Sequence, residues 1–397
     1  MKILMINVVC GIRSTGRICT DLATALEEQG HEVKIAYGRD DVPEQFQKYA
    51  VRVGNDLDVK LHALKARLFD AAGFGSKRVT KNFVEWVKEY NPDIIHLHNI
   101  HGYYINIEIL FNYLRTCGKK IVWTLHDCWA FTGHSAYCDA VACVKWKTGC
   151  HHCSVMGFYP KSYVDCSRGN WNRKKTMMTG IPNMLLVAPS KWLRNLIKDS
   201  FLSEYPAIVI HNGIDTSKFY PMKNNVRRRY KLDDKFMLLG VASSWNSMKG
   251  YDDYLKLSEL LDFHNYKIVL VGLSKKQKAS LPGNILGIER TSDISELAKL
   301  YSAADLYLNL SYCENYPTVN LEALSCGTPV LTYNTGGSPE TIENHNGIVL
   351  KRGDLEGALS EIYKYSISKR KMTVSLENKD VFDIKYEINN YLNKCYY

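Results

Sequence analysis

The sequence predicts an α/β protein built from two doubly wound, Rossmann-like domains, and three observations carry that reading. Ten short apolar runs rich in Val, Ile and Leu lack the polar alternation of a half-exposed sheet, as strands buried on both faces should. Amphipathic helical stretches separate them. The strand–helix alternation runs through the first half of the chain and then starts again in the second.

In order, the first-half runs are KILMINV (2–8), EVKIAY (32–37), IIHLH (94–98), IVWTL (121–125), LLVAPS (185–190) and AIVIH (207–211). The second-half runs are KFMLLGVAS (235–243), YKIVLVGL (266–273), LYLNLS (306–311) and PVLTY (329–333). Between the first two runs, Ile18, Leu22 and Leu26 share one face of a helix over 16–29, which Gly30 stops. The turn cluster HNGIDTSKFYP (211–221) marks the join, with an N-terminal domain over 1–212 and a C-terminal domain over 213–375. In the tail, Ile384, Ile388 and Leu392 are spaced by four, so 376–397 is expected to be a helix that packs back on the N-terminal domain.

A chain of 397 residues with 46% hydrophobic and 23% charged residues suits two ordinary soluble domains. No apolar run reaches the ~18 residues that cross a bilayer. The start, MKILMINVVCGIRSTG, resembles a signal peptide in outline but reads better as a first strand and its glycine turn, so a cytoplasmic location is expected. The formal charge is +10, and residues 1–212 hold 27 Lys/Arg against 19 Asp/Glu. A basic first half suits an anionic partner there, and equally suits a merely solvated surface. Within it, the stretch 60–88 is amphipathic, with Leu61, Leu64, Leu68 and Trp86 among Lys60, Lys65, Arg67, Lys77, Arg78 and Lys81. Two readings stand: an interfacial helix on anionic lipid, or ordinary core packing.

The chemistry concentrates in LSYCENYPTVNLEALSCGTPVLTYNTGGSPE (310–340). A buried strand ends just before Glu314, Pro317 stands where a helix begins, and Glu322 lies eight residues beyond Glu314. A helix N-terminus binds anions, and two carboxylates are left to accept sugar hydroxyls. In VASSWNSMKGYDDYL (241–255), Lys249 precedes a helix and is placed to neutralise a phosphate, although a solvated lysine would look the same. In VWTLHDCW (122–129), His126 and Asp127 end a strand at the carboxyl edge where α/β sheets take ligands, or simply tie a loop. His98 and His101 of HLHNIHG read as pocket lining on the acceptor side, with Asp127. Gly11 and Gly16 stand between the first strand and helix; their spacing is neither the dinucleotide fingerprint nor a P-loop.

These motifs together resemble the retaining, two-Rossmann-domain glycosyltransferases of family 4, also called glycogen-synthase-like, and most of all those of bacterial capsule, exopolysaccharide and O-chain synthesis. CENYPTVNLEALSCGTPV, TGGSPE, the MKG lysine, APSKWL, HNGIDTSKF, STGRI and LHDCWAFTG carry the resemblance, which covers roughly residues 1–355 in order. It implies a GT-B architecture, two Rossmann-like domains facing a central cleft. It also implies that Glu322 binds the donor ribose and Glu314 the donor sugar. Thr318 and Val319, after Pro317, would cradle the pyrophosphate with Lys249, while His126 touches the transferred sugar and Gly16 lies near the phosphates. Ser243, Ser244 and Trp245 stand where relatives carry an arginine, so charge neutralisation would rest on Lys249 and the helix dipole. The implied reaction moves a sugar from a UDP- or GDP-sugar to a glycan or lipid-linked glycan, with no metal required for catalysis and no nucleic-acid partner. The implied setting is the cytoplasm, including the inner face of the plasma membrane.

The spacing Cys138-x4-Cys143-x6-Cys150-x2-Cys153 supplies thiols for a structural zinc, and equally describes a reduced cysteine-rich loop within an insertion at about 128–166. Two other functions compete with transfer. A nucleotide-sugar epimerase or phosphorylase shares the architecture, but nothing marks the cofactor lysine a phosphorylase needs. A metal- or nucleic-acid-binding scaffold leaves Glu314, Glu322 and Lys249 unexplained.

Overall fold

The structure is a computed structural model that describes residues 1–342, 346–368 and 382–397. It divides into two compact units, Met1–His211 with Ile388–Tyr397, and Asn212–Glu387. The first boundary falls between His211 and Asn212, at the start of the turn cluster and one residue from 212/213. The cluster belongs to the second unit, where Asn212 Nδ2 donates to Tyr316 O at 3.1 Å. The second boundary expected, at 375/376, lies outside the described residues.

The first unit holds a parallel seven-stranded sheet in the order β3-β2-β1-β4-β5-β6-β7. Its strands are β1 (Lys2–Ile6), β2 (Glu32–Tyr37), β3 (Ala50–Arg52), β4 (Ile94–Leu97), β5 (Lys120–Thr124), β6 (Met184–Ala188) and β7 (Ala207–Val209). The second unit holds a parallel six-stranded sheet in the order β10-β9-β8-β11-β12-β13. These are β8 (Phe236–Val241), β9 (Tyr266–Val271), β10 (Ile285–Ile288), β11 (Leu306–Asn309), β12 (Val330–Tyr333) and β13 (Gly347–Leu350). Each sheet is doubly wound about a switch point, between β1 and β4 in one and between β8 and β11 in the other. Such sheets take ligands outside the carboxyl ends of the strands at that point.

All ten predicted strands are present; β3, β10 and β13 are additional, and all three are edge strands. Their residues are mostly half-buried, so no continuous apolar run announces them. The interior strands are buried on both faces: Met237 and Leu239 enter one core of the second unit and Leu238 the other. The first core gathers around Leu97, Phe111, Trp123 and Phe131. Burying each such side chain contributes about 1.5–3 kcal/mol.

Helix α1 (Arg13–Glu28) buries Ile18, Leu22 and Leu26 as its period requires, and Gly30 closes it at φ +82°. The stretch 60–88 splits into α2 (Asp56–Phe69) and α3 (Lys77–Tyr90). In α3 the apolar face is covered, with Phe83 and Val87 buried and Trp86 stacked between Phe83 and Tyr90. In α2 it is not: only His62 and Ala66 are buried, and the leucines face outward. The tail forms a helix over Ile384–Tyr391, and Ile388, Tyr391, Leu392 and Tyr396 are buried within the first unit. Among the described residues no helix is long and apolar enough to cross a membrane.

Candidate functional site

Both halves of the second-unit site leave the β8/β11 switch point. After β8 the chain makes a short turn over Ser247–Lys249, where Asn246 Oδ1 accepts the Lys249 amide at 3.2 Å. Gly250 follows at φ +71°, and a Cβ there would stand 2.1 Å from Leu310 O, so only glycine lets the turn come this close to the end of β11. Tyr312 N–H donates to Met248 O at 2.8 Å and ties the two loops together. The outcome is an ion pair between Lys249 Nζ and Glu314 Oε1 at 2.5 Å, with the Glu314 side chain 12% exposed.

Pro317 caps the helix Thr318–Ser325 in an extended conformation, so the predicted helix start is right. Thr318 and Val319 open it, half-buried, and Glu322 lies inside it, 4% exposed. Glu322 Oε2 accepts the hydroxyl of Tyr301 at 2.9 Å, and burial, then Glu322 itself, pushes that phenol well above its usual range. Asn320 steadies the helix from below: its Oδ1 accepts Asn309 Nδ2 at 2.8 Å, and its Nδ2 donates to Thr341 Oγ1 at 2.8 Å and to Ser338 Oγ at 3.2 Å. The TGGSPE loop is thereby fastened to the helix that carries Glu322.

In the first unit the residues after β4 and β5 pair across the sheet edge. His98 Nδ1 and His126 Nε2 are 3.1 Å apart, their rings stacked. His101 Nε2 meets Asp127 Oδ2 at 2.9 Å, His101 Nδ1 meets Tyr159 OH at 3.1 Å, and Asp127 Oδ1 accepts the Trp129 amide at 2.8 Å. Burial drives His126 down to about 4 and His98 well below its ordinary value, so both imidazoles are neutral at pH 7 and share one N–H between them. Burial alone would raise Asp127, but His101, the Trp129 amide and His126 outweigh it and hold the carboxyl below its ordinary value. The site thus offers a neutral histidine and a fixed carboxylate, groups suited to hydroxyls.

Two parallel sheets with switch-point residues of this kind have close counterparts. Residues 15–218 match Glycosyltransferase Family 4, and residues 222–379 match Glycosyl transferases group 1. The chain belongs to glycosyltransferase family 4. It is 23% identical over 370 residues to the putative colanic acid biosynthesis glycosyl transferase WcaC of Escherichia coli, covering 87% of this chain and 86% of that one. Among solved structures it resembles sucrose-phosphate synthase from Thermosynechococcus elongatus, with a TM-score of 0.72 at 15% identity over 99% of this chain and 97% of that one. It also resembles Anabaena HepE in complex with UDP, with a TM-score of 0.70 at 15% identity over 99% of each. These likenesses establish the GT-B fold, and with family membership the protein is a glycosyltransferase.

Two expectations need correction. Gly16 is not in the turn between strand and helix; it is buried in the first turn of α1, and Gly11, at φ +73°, makes the turn. A Cβ on Gly16 would stand 3.0 Å from Val9 and 3.2 Å from the Gly11 amide, so its smallness serves packing of that turn. The zinc centre is not assembled either. Cys138, Cys143, Cys150 and Cys153 line one pocket with His134, but among the described residues no group of three or more His, Cys, Asp or Glu could hold a metal ion. Two of the groups there bond to the protein: His134 Nδ1 to Asp70 Oδ1 at 2.5 Å, and Cys150 Sγ to the Gly133 amide at 3.2 Å, while His134 Nε2 is buried without a partner. The loop is instead fastened by Lys174, fully buried, which donates to Trp129 O at 2.7 Å and Thr132 O at 3.1 Å.

Sequence reasoning missed three supports of the site. Tyr301 and Asn320 hold the Glu322 helix, and the only signal available was polar residues such as Asn309 within an apolar strand. The third is the tail: Tyr396 OH meets His96 Nδ1 at 2.6 Å and Tyr391 OH meets Thr124 Oγ1 at 2.9 Å, directly behind His98 and His126. No spacing rule reaches across that interval.

Proposed function

We propose that this glycosyltransferase moves a sugar, with retention of anomeric configuration, from a UDP- or GDP-sugar to a glycan or lipid-linked glycan in bacterial surface-polysaccharide synthesis. It would work in the cytoplasm, at the inner face of an anionic membrane. The observation that carries the donor side is the Lys249–Glu314 pair beside the Thr318–Ser325 helix. The similarity to WcaC supports the polysaccharide setting, and the UDP held by HepE supports a nucleotide donor.

In this reading Glu322 accepts the ribose hydroxyls and Glu314 those of the donor sugar. Lys249 is paired with Glu314, and an arriving diphosphate offers it a second anionic partner. The bond between the anomeric carbon and the diphosphate oxygen breaks as the acceptor oxygen attacks the same face, and the departing phosphate takes the acceptor proton. Charge builds on the leaving phosphate, where Lys249 and the Thr318 and Val319 amides stabilise it; one preorganised donor of this kind contributes about 10²–10³ in rate. The helix dipole adds ~0.3–1 kcal/mol, up to ~2 when partly buried. The reading requires no divalent metal. His126, neutral, supplies a contact to the transferred sugar, and Asp127, His98 and His101 line the acceptor side.

The experiment screens UDP- and GDP-sugars for thermal stabilisation, then assays transfer with the best donor in the presence of a chelator. Glu322→Ala and Lys249→Ala should abolish transfer while the proteins stay folded. Full transfer by either variant overturns the assignment.

A further inference from the structure

Helix α2 buries one narrow face and turns a leucine stripe directly away from it. Leu57, Leu61, Leu64 and Leu68 are 42–64% exposed, and Phe69, off the stripe at the end of the helix, is 63% exposed. At 100° per residue the four leucines fall within about 60° of one another, opposite buried Ala66. The helix is not loosely held. His62, on the buried side, accepts the Gly73 amide at 3.1 Å and the Gly75 amide at 3.0 Å through Nε2, and Asn55 caps the start with a reciprocal capping box. An ordered helix with this much apolar surface outward is unusual in a monomer and marks a contact surface.

Charge says what the contact is. Lys60 and Arg67 flank the stripe on one side and Lys65 on the other, positions from which long cationic side chains reach headgroups while leucines sink below them. The two acids of the helix are confined to its first turn, Asp56 paired with Arg52 and Asp58 accepting the Asn55 amide. Beside Arg67, Tyr163 is 68% exposed with its ring 5.6 Å from the guanidinium, and tyrosine is enriched at membrane interfaces. We propose that α2 is the element by which this protein lies on an anionic lipid surface, its axis in the membrane plane. This deepens the membrane part of the reading above, and it is tested without any sugar so that either can fail alone.

Full-length protein is sedimented with vesicles of equimolar phosphatidylglycerol and phosphatidylcholine, and with phosphatidylcholine alone. Wild type should bind the anionic vesicles, more weakly as salt rises. Leu61→Ser with Leu64→Ser should weaken partition about a hundredfold, with an unchanged circular dichroism spectrum because both side chains lie outside the core. Lys60→Glu with Lys65→Glu should reduce anionic binding by about fivefold or more for each charge removed, and leave the neutral vesicles unaffected. The proposal is overturned if wild type ignores anionic vesicles, or if the serine variant binds as wild type does. It is also overturned if the stripe proves to bind a second copy, seen as a concentration-dependent dimer that the serine variant abolishes while vesicle binding is absent.

Discussion

Lys249 Nζ lies 2.5 Å from Glu314 Oε1 although sixty-five residues separate them, because both follow strands that meet at the switch point of one sheet. The pair cancels one positive and one negative charge beside the Thr318–Ser325 helix. Lys249→Met should therefore lower kcat/KM by about 10²–10³ and leave Glu314 without its cation. Glu314→Gln should lower it as well, but with tighter binding of free nucleoside diphosphate, since Lys249 is released. Calorimetric titration with UDP and GDP checks the difference in sign.

Gly250 is the hinge of that arrangement. Gly250→Ala places a Cβ against Leu310 O and forces a left-handed backbone on alanine, which should cost about 1–3 kcal/mol. A lower thermal midpoint together with lost transfer is the expected result, and Gly283→Ala, where a Cβ meets nothing, serves as the control.

Tyr301→Phe takes a donor from the buried Glu322 carboxylate. Stability should fall by about 1.5–3 kcal/mol, the worth of a hydrogen bond to a charged group. The donor KM should rise more than kcat falls, because the change touches the grip on the nucleotide rather than the reacting bond. Steady-state kinetics separates the two.

Burial lowers His96 to about 3, His126 to about 4 and His62 to about 4, all in the first unit. As pH falls below the ordinary value of 6.5, the unfolded chain takes up protons that the folded chain refuses. Stability is full above pH 6.5 and is lost progressively down to about pH 4 and below, with a slope approaching ~1.4 kcal/mol per pH unit for each such histidine. Thermal midpoints measured from neutral to acid pH should show this, with a shallower slope in His96→Gln.

What could be read beforehand follows a physical line. Interior strands announce themselves because both faces are apolar, whereas edge strands such as Gly347–Leu350 carry half-buried residues and leave no run. Lys249, Glu314, Pro317 and Glu322 were legible because strand ends and helix starts have local signatures. Tyr301, Asn320 and Tyr396 were not, since each acts on a partner chosen by the tertiary fold. The period of α2 revealed an apolar face but not whether anything covers it. The cysteine spacing counted thiols that do line one pocket, but spacing does not say whether they come within reach of a single ion.

The tail that ends in Tyr391 and Tyr396 also sets an order of events during synthesis. Residues 1–211 emerge from the ribosome first, yet the layer behind His98 and His126 is completed only by residues 388–397. The first unit must wait, one layer short, while the whole of the second is translated. The second unit also takes Phe382 into its core, so both units are completed by the same late stretch of chain.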